Sequence, residues 1–245
     1  MKNLSTCLPF SPCLPATLSL TACLFFALML ATGLFSVLPC SAQIQASQEP
    51  RHHIVFENAL VRILDVRIPP GDTSLIHKHS LPSIFVVLSN TKTGSQVIVE
   101  PAKPHFTEGN IWFEGFYDQP RIHRVWNSDT TLFHTIDIEL LHKTPDSIGA
   151  PLQGGAIMGG MITPLFDDLP VRGYRLSLTP HTTLRIPRRT AAVVVIGLTN
   201  PTTPITLNDK PFTKKGDFLF IPAGADIDFS NKGRDKEDFV LFELK

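Results

Sequence analysis

From about residue 54 onward, apolar and polar positions alternate in short runs. Leu64, Val66 and Ile68 alternate with Asp65 and Arg67, the period-two pattern of a strand with one buried face. Pro69-Pro70-Gly71 ends that run as a turn. Ile84 to Leu88 is a continuous apolar run, and Ser95 to Glu100 is a further short strand. Phe133 to Leu140 alternates again, with His134, Ile136, Ile138 and Leu140 on one side. Polar or glycine-bearing breaks at Ser89–Gly94 and at Gly109 separate these runs, and no stretch carries a convincing helical period. Many short strands punctuated by turns predict an antiparallel sandwich or barrel from about Ile54 to Leu141, and an all-β fold class.

The first 42 residues break the pattern. They carry one charge, Lys2, and an apolar run from Leu18 to Leu38 followed by Cys40, Ser41 and Ala42. This reads as a secretory signal peptide cleaved after Ala42. Uncleaved, the same run is long enough to anchor the protein in a membrane. Export, to a periplasm or beyond, is the expectation either way. All four cysteines, Cys7, Cys13, Cys23 and Cys40, lie here. A chain starting at Gln43 therefore has no disulfide, thiol nucleophile or thiolate ligand. Gln43 to Arg51 is polar and expected to be an exposed lead-in. Lysine plus arginine equals aspartate plus glutamate, 22 of each. No net field draws nucleic acid or an anionic membrane, so a small molecule is the expected partner.

The candidate chemistry sits in GDTSLIHKHSLPSIFVVLSN, Gly71 to Asn90. His77 and His79 stand two apart, so a strand points both to one face about 6.6 Å apart. Two imidazoles so placed reach one metal ion at about 2.0–2.1 Å each. RIHRVWN later supplies His123 and Asn127.

Together these motifs resemble the cupin superfamily. Its first signature, G-x5-H-x-H-x3-4-E, is met by Gly71, His77 and His79. Its second is opened by Gly109 and met by His123 and Asn127. Two departures stand out. The glutamate position falls on Ser83 or Ile84, and the second motif is three residues longer than the signature, carrying Tyr117 to Gln119. The resemblance implies a double-stranded β-helix, or jelly-roll, barrel. It also implies a divalent metal ion (Fe, Mn, Ni or Zn) on His77, His79 and His123. Lacking the carboxylate, such a site is one charge less negative and favours an anionic or enolate-like substrate. All-histidine cupin dioxygenases are similar in this respect, so oxidation of a small anionic or carbonyl compound is the leading expectation. The alternative is a non-catalytic cupin that binds a sugar or an anion. Ser83 is expected to hold a water where the carboxylate would be. His134, on the apolar side of its strand and so able to point into the barrel, is a possible pocket residue, with a hydrogen-bonded core or rim histidine as the alternative; Phe116 and Tyr117 are expected at a pocket entrance. His52, His53, His105, His142 and His181 carry no supporting pattern. Pairing of barrels as a homodimer is plausible by the same analogy.

The second half repeats the first. At an offset of 110, Pro180 falls on Pro70, Ile186 on Ile76 and Asn200 on Asn90; at 104, Asn231 falls on Asn127 and Glu243 on Glu139. A repeat of this length reads as a tandem duplication, hence a bicupin. The expected layout is 1–42 leader, 52–142 metal-binding barrel, 143–170 connecting segment and 171–245 degenerate barrel. In the second copy His77 becomes Pro187, His79 becomes Arg189 and His123 becomes Ile227. That copy is expected to be structural, with an anion pocket around Arg189 as the alternative. The apolar connector is expected to pack on a barrel.

Overall fold

The computed structural model describes residues 43–97, 108–142 and 148–245, and the backbone alone of 103–106. The expected leader, 1–42, lies outside the described residues. Among those described, no helix is long and apolar enough to cross a membrane.

The first half contains β1 (Ile44–Gln45), β2 (His52–Glu57), β3 (Val61–Ile68), β4 (His77–His79), β5 (Ser83–Val87), β6 (Thr91–Val97), β7 (Lys103–Phe106), β8 (Ile111–Glu114), β9 (Arg121–Asn127) and β10 (Phe133–Leu140). The second contains β11 (Gly155–Ile157), β12 (Gly160–Asp168), β13 (Val171–Leu178), β14 (Thr182–Ile186), β15 (Ala192–Gly197), β16 (Ile205–Leu207), β17 (Lys210–Phe212), β18 (Phe218–Ile221), β19 (Ile227–Asn231) and β20 (Glu237–Leu244). Sheets run β2-β3-β10-β5-β8 and β1-β4-β9-β6-β7 in the first half, and β11-β12-β13-β20-β15-β18 and β14-β19-β16-β17 in the second. The strands β2 to β10 therefore recur ten numbers on in the same order, and only the added edge differs: β1 lies beside β4, whereas β11 lies beside β12. The duplication legible in the sequence is a duplication of topology.

The devices that turn the chain recur too. Gly109 and Gly216 both take positive φ, 81° and 89°, a backbone that glycine adopts without steric cost. Asn127 Nδ2 donates to the Ile68 and Thr131 carbonyls while its Oδ1 accepts from Asp129 N–H. Asn231 does the same with Thr179, Asp235 and Gly233.

Three apolar clusters hold the fold. One fills the second barrel, with Leu176, Leu184, Val195, Phe229, Phe239 and Leu241 at its centre. One is a seam between the halves, where Ile63, Val86, Ile136 and Ile138 meet Val194, Ile196, Val240 and Phe242. The third, inside the first barrel, is smaller: Ala46, Leu64, Val66, Ile68, Val87, Val125 and Phe133.

Three expectations change. Gln43–Arg51 is not an exposed lead-in. β1 pairs with β4 in parallel, Ala46 is buried, and the buried Glu49 carboxylate accepts from the backbone N–H groups of Arg51 and Leu75. Glu49 is inside because the barrel supplies partners for it, while Gln43 and Gln48 stay exposed. The connecting segment is not only a connector, because 155–157 and 160–168 form β11 and β12 on the edge of the second barrel's sheet. In β10, the apolar side that includes Ile136 and Ile138 faces the seam. Thr135, Asp137 and Glu139, equally buried, take the other face of the strand.

Candidate metal centre

β4 is three residues long, His77-Lys78-His79, and lies against β9, with His77 opposite His123 and His79 opposite Arg121. Strand alternation turns the flanking histidines inward. His77 is 0%, His79 2% and His123 6% exposed, whereas Lys78 is only half-buried. The three ring centroids lie 4.5–5.1 Å apart.

The atoms facing outward from this cluster decide its chemistry. His77 Nδ1 lies 2.8 Å from the Leu75 carbonyl. A carbonyl only accepts, so Nδ1 carries the proton and Nε2 is a free lone pair; that Nε2 is buried and without a hydrogen-bond partner. His123 Nδ1 is 2.9 Å from the Ser95 hydroxyl. His79 Nδ1 is 3.4 Å from Asp137 Oδ2. Two of the rings are thus held through Nδ1 by different groups, an arrangement that orients imidazole ligands toward a metal, while His79 Nδ1 faces Asp137 without a hydrogen bond. On the inner side, His79 Nε2 and His123 Nε2 are 3.0 Å apart. Two nitrogens bound at right angles to one ion at ~2.1 Å would stand ~3.0 Å apart. One ligand atom from each of the three histidines lies within 4.8 Å of the others. The residues present therefore fit a divalent ion held by three neutral imidazoles.

Electrostatics agree with that state. Burial, reinforced by the neighbouring imidazoles, holds His79 and His123 well below the usual histidine range. Burial also lowers His77, against the pull of the Leu75 carbonyl. Asp137 is driven the other way. Burial raises it well above the carboxylate range, Glu139 adds to the rise, and the Ser83 hydroxyl opposes it.

The histidines open on a cavity of ≈ 40 Å³ walled mainly by Val66, Phe85, Val87, Trp112, Val125 and Phe133. Arg121 is the cation in its lining, and its guanidinium is held 2.8 Å from Glu114.

The other expected site residues scatter. Ser83 is buried beside Asp137, but its hydroxyl donates to the Leu81 carbonyl. His134 is not in this cavity. It sits on the seam side of β10, with Nε2 2.7 Å from Asp65, because strand alternation sends it away from Thr135 and Asp137. Phe116 takes a left-handed φ of 52° and stacks on His79 at 5.7 Å. Tyr117 is 65% exposed and lines a separate groove with Phe116. Arg189 offers no free cation for an anion, since Glu243 and the Ala150 carbonyl both hold it.

Four residues near the histidines escape a reading of motifs: His52, Ser95, Arg121 and Asp137. His52 is buried, with Nδ1 on the Ala46 carbonyl at 2.8 Å and its ring 4.7 Å from His77. Burial, with His77 adding to it, pushes its pKa down to about 3. Only Asp137 left a sequence signal. It stands where the second copy has Leu241, a charge for an aliphatic side chain at an interior position.

No protein-family model matches the chain, and no curated protein matches it. Solved structures do. Salicylate 1,2-dioxygenase from Pseudoaminobacter salicylatoxidans, in its adduct with gentisate, superposes at a TM-score of 0.58 with 12% identity over 90% of this chain and 79% of that one. AerE from Microcystis aeruginosa does so at 0.54 with 10% identity, over 80% of this chain and 98% of that one. At such identities the likeness is one of fold. It agrees with two barrels of one topology, the first with three inward histidines, as the repeat in the sequence predicts.

Proposed function

We propose that the amino-terminal barrel binds a divalent metal through His77, His79 and His123 and uses it in a dioxygenase-type reaction on a small anionic or carbonyl substrate. The observation that carries this reading is the convergence of three buried imidazoles on one small apolar cavity, two of them hydrogen-bonded through Nδ1 and the third with Nδ1 3.4 Å from Asp137. When bound, the metal supplies activation of oxygen and of a chelating carbonyl. The chain does the rest. The three histidines would hold the ion through their Nε2 atoms beside the cavity. Val66, Val87, Val125, Phe85 and Trp112 exclude water. Arg121, the cation of the cavity lining, would share its guanidinium between Glu114 and an anionic group. His52, committed to the Ala46 carbonyl through Nδ1 and held neutral by burial, stands beside His77 in the cavity wall.

Cavity size bears on the substrate. A cavity that holds benzene measures about 150 Å³, well above the ≈ 40 Å³ seen here. The reacting part is thus a small head group, unlike the aromatic gentisate of the salicylate dioxygenase adduct. The apolar walls suit neither a sugar nor a heavily hydrated anion. On its charge-poor first 42 residues, we place the protein outside the cytoplasm.

The test is metal content by mass spectrometry of residues 43–245, beside a His77→Ala, His79→Ala variant. Stoichiometric metal in the first and none in the second supports the centre. Oxygen uptake with small diketones, keto acids and thiols then separates an enzyme from a binding protein. Metal-free protein after loading in Fe(II), Mn(II), Ni(II) and Zn(II) would end the metal reading.

A further inference from the structure

The metal motif lacks its carboxylate, with Ser83 or Ile84 at that position, yet the structure places a carboxylate beside Ser83 from the neighbouring strand. Asp137 lies on β10, directly across from Phe85 of β5. It is 0% exposed, and neither of its oxygens makes a hydrogen bond of good geometry. The nearest charged-pair partner is His79 Nδ1 at 3.4 Å, on the ring edge opposite the Nε2 that faces His123. A buried carboxylate without firm hydrogen bonds costs folding free energy. The duplicated barrel shows that the fold does not need it, because Leu241 fills the equivalent place within an apolar core. The nearby buried acid, Glu139, is already paired with Arg62 at 2.7 Å, so Asp137 is the uncommitted one.

We propose that Asp137 is a positioning residue of the metal centre: standing behind the ring, it keeps the proton on His79 Nδ1 and so fixes Nε2 toward the ion. This inference rests on the metal-binding reading above. Carboxylates behind imidazole ligands both orient the ring and raise its basicity. A position one strand away from the motif does this without occupying a coordination site, so the positions open to oxygen and substrate stay open.

The experiment compares metal-free wild type, Asp137→Asn, Asp137→Leu and the His77→Ala, His79→Ala variant. Cobalt(II) affinity is read by chelator competition, the cobalt d–d absorption by visible spectroscopy, and the metal-free melting temperature by circular dichroism. We expect both Asp137 variants to bind cobalt about 10–100-fold more weakly, with a displaced absorption band, while their metal-free melting temperatures equal or exceed wild type. Wild-type cobalt affinity and spectrum in Asp137→Asn, with binding lost in the double histidine variant, would overturn the role of Asp137 and leave the metal centre standing. A metal-free melting temperature well below wild type in both variants, or failure of both to fold, would overturn it in favour of a structural role. No cobalt binding by wild type would remove the metal centre and this inference together.

Discussion

Asn127 and Asn231 brace the same corner of the two barrels with the same three hydrogen bonds, and the strands around them keep the same order. Further along the same strands the likeness ends. Inside the first barrel stand His77, His79, His123, Thr135 and Asp137; their counterparts in the second are Pro187, Arg189, Ile227, Phe239 and Leu241. The first barrel is partly hollow, with Val125 where the second has Phe229 and Val66 where it has Leu176. Turns, braces and the apolar seam define this fold, and the barrel interior is free to vary. One copy has spent that freedom on packing. The other keeps buried polar groups that packing alone would replace.

The strongest way to break the comparison is to exchange interiors. Leu241→Asp places an unpaired carboxylate in the packed barrel and should destabilise the protein by on the order of 3–5 kcal/mol, read from urea unfolding. A loss below ~1 kcal/mol would mean that the second interior is wetter than its core implies.

Acid is the next probe, on metal-free protein. His52 in the folded state titrates at about 3, whereas unfolded histidine titrates near 6.5. Between those values only the unfolded chain takes the proton, so stability falls as pH falls below about 6.5. At pH 4 this one group accounts for about 3 kcal/mol. Asp137 acts with opposite sign, since its raised value favours the folded state as pH falls. The measurement is therefore the difference in urea midpoint between wild type and His52→Gln from pH 7 to pH 4. A constant difference would refute the buried, neutral assignment.

The shared features should respond alike. Asn127→Ala and Asn231→Ala each leave two backbone carbonyls and one N–H short of a partner, for a loss of about 2–3 kcal/mol apiece. Unequal losses, by chemical denaturation, would show that one barrel does not depend on its brace. The smallest effect belongs to the surface. Arg188 and Asp226 pair at 2.6 Å, but both are solvated, so Arg188→Ala should leave the melting temperature unchanged within error.

Several of these residues were readable without coordinates. The alternation of Leu64, Val66 and Ile68, the spacing of His77 and His79, and the repeat of Asn127 as Asn231 are local patterns that survive in one dimension. The inward side of β10 was not readable. Both its faces are buried, one in the barrel and one in the seam, so its apolar alternation marked the seam and drew His134 into the candidate pocket. His52, Glu49 and Ser95 were illegible because a polar side chain looks solvated until its partner, distant in sequence, is known.

By itself, then, the sequence determined the all-β class, the duplication and the three histidines, since period, spacing and repetition are properties of the chain alone. Only the tertiary structure decided which polar groups stand behind those histidines and which barrel stays hollow. Burial and long-range partnership arise when strands far apart in sequence become neighbours, and no local pattern encodes that adjacency.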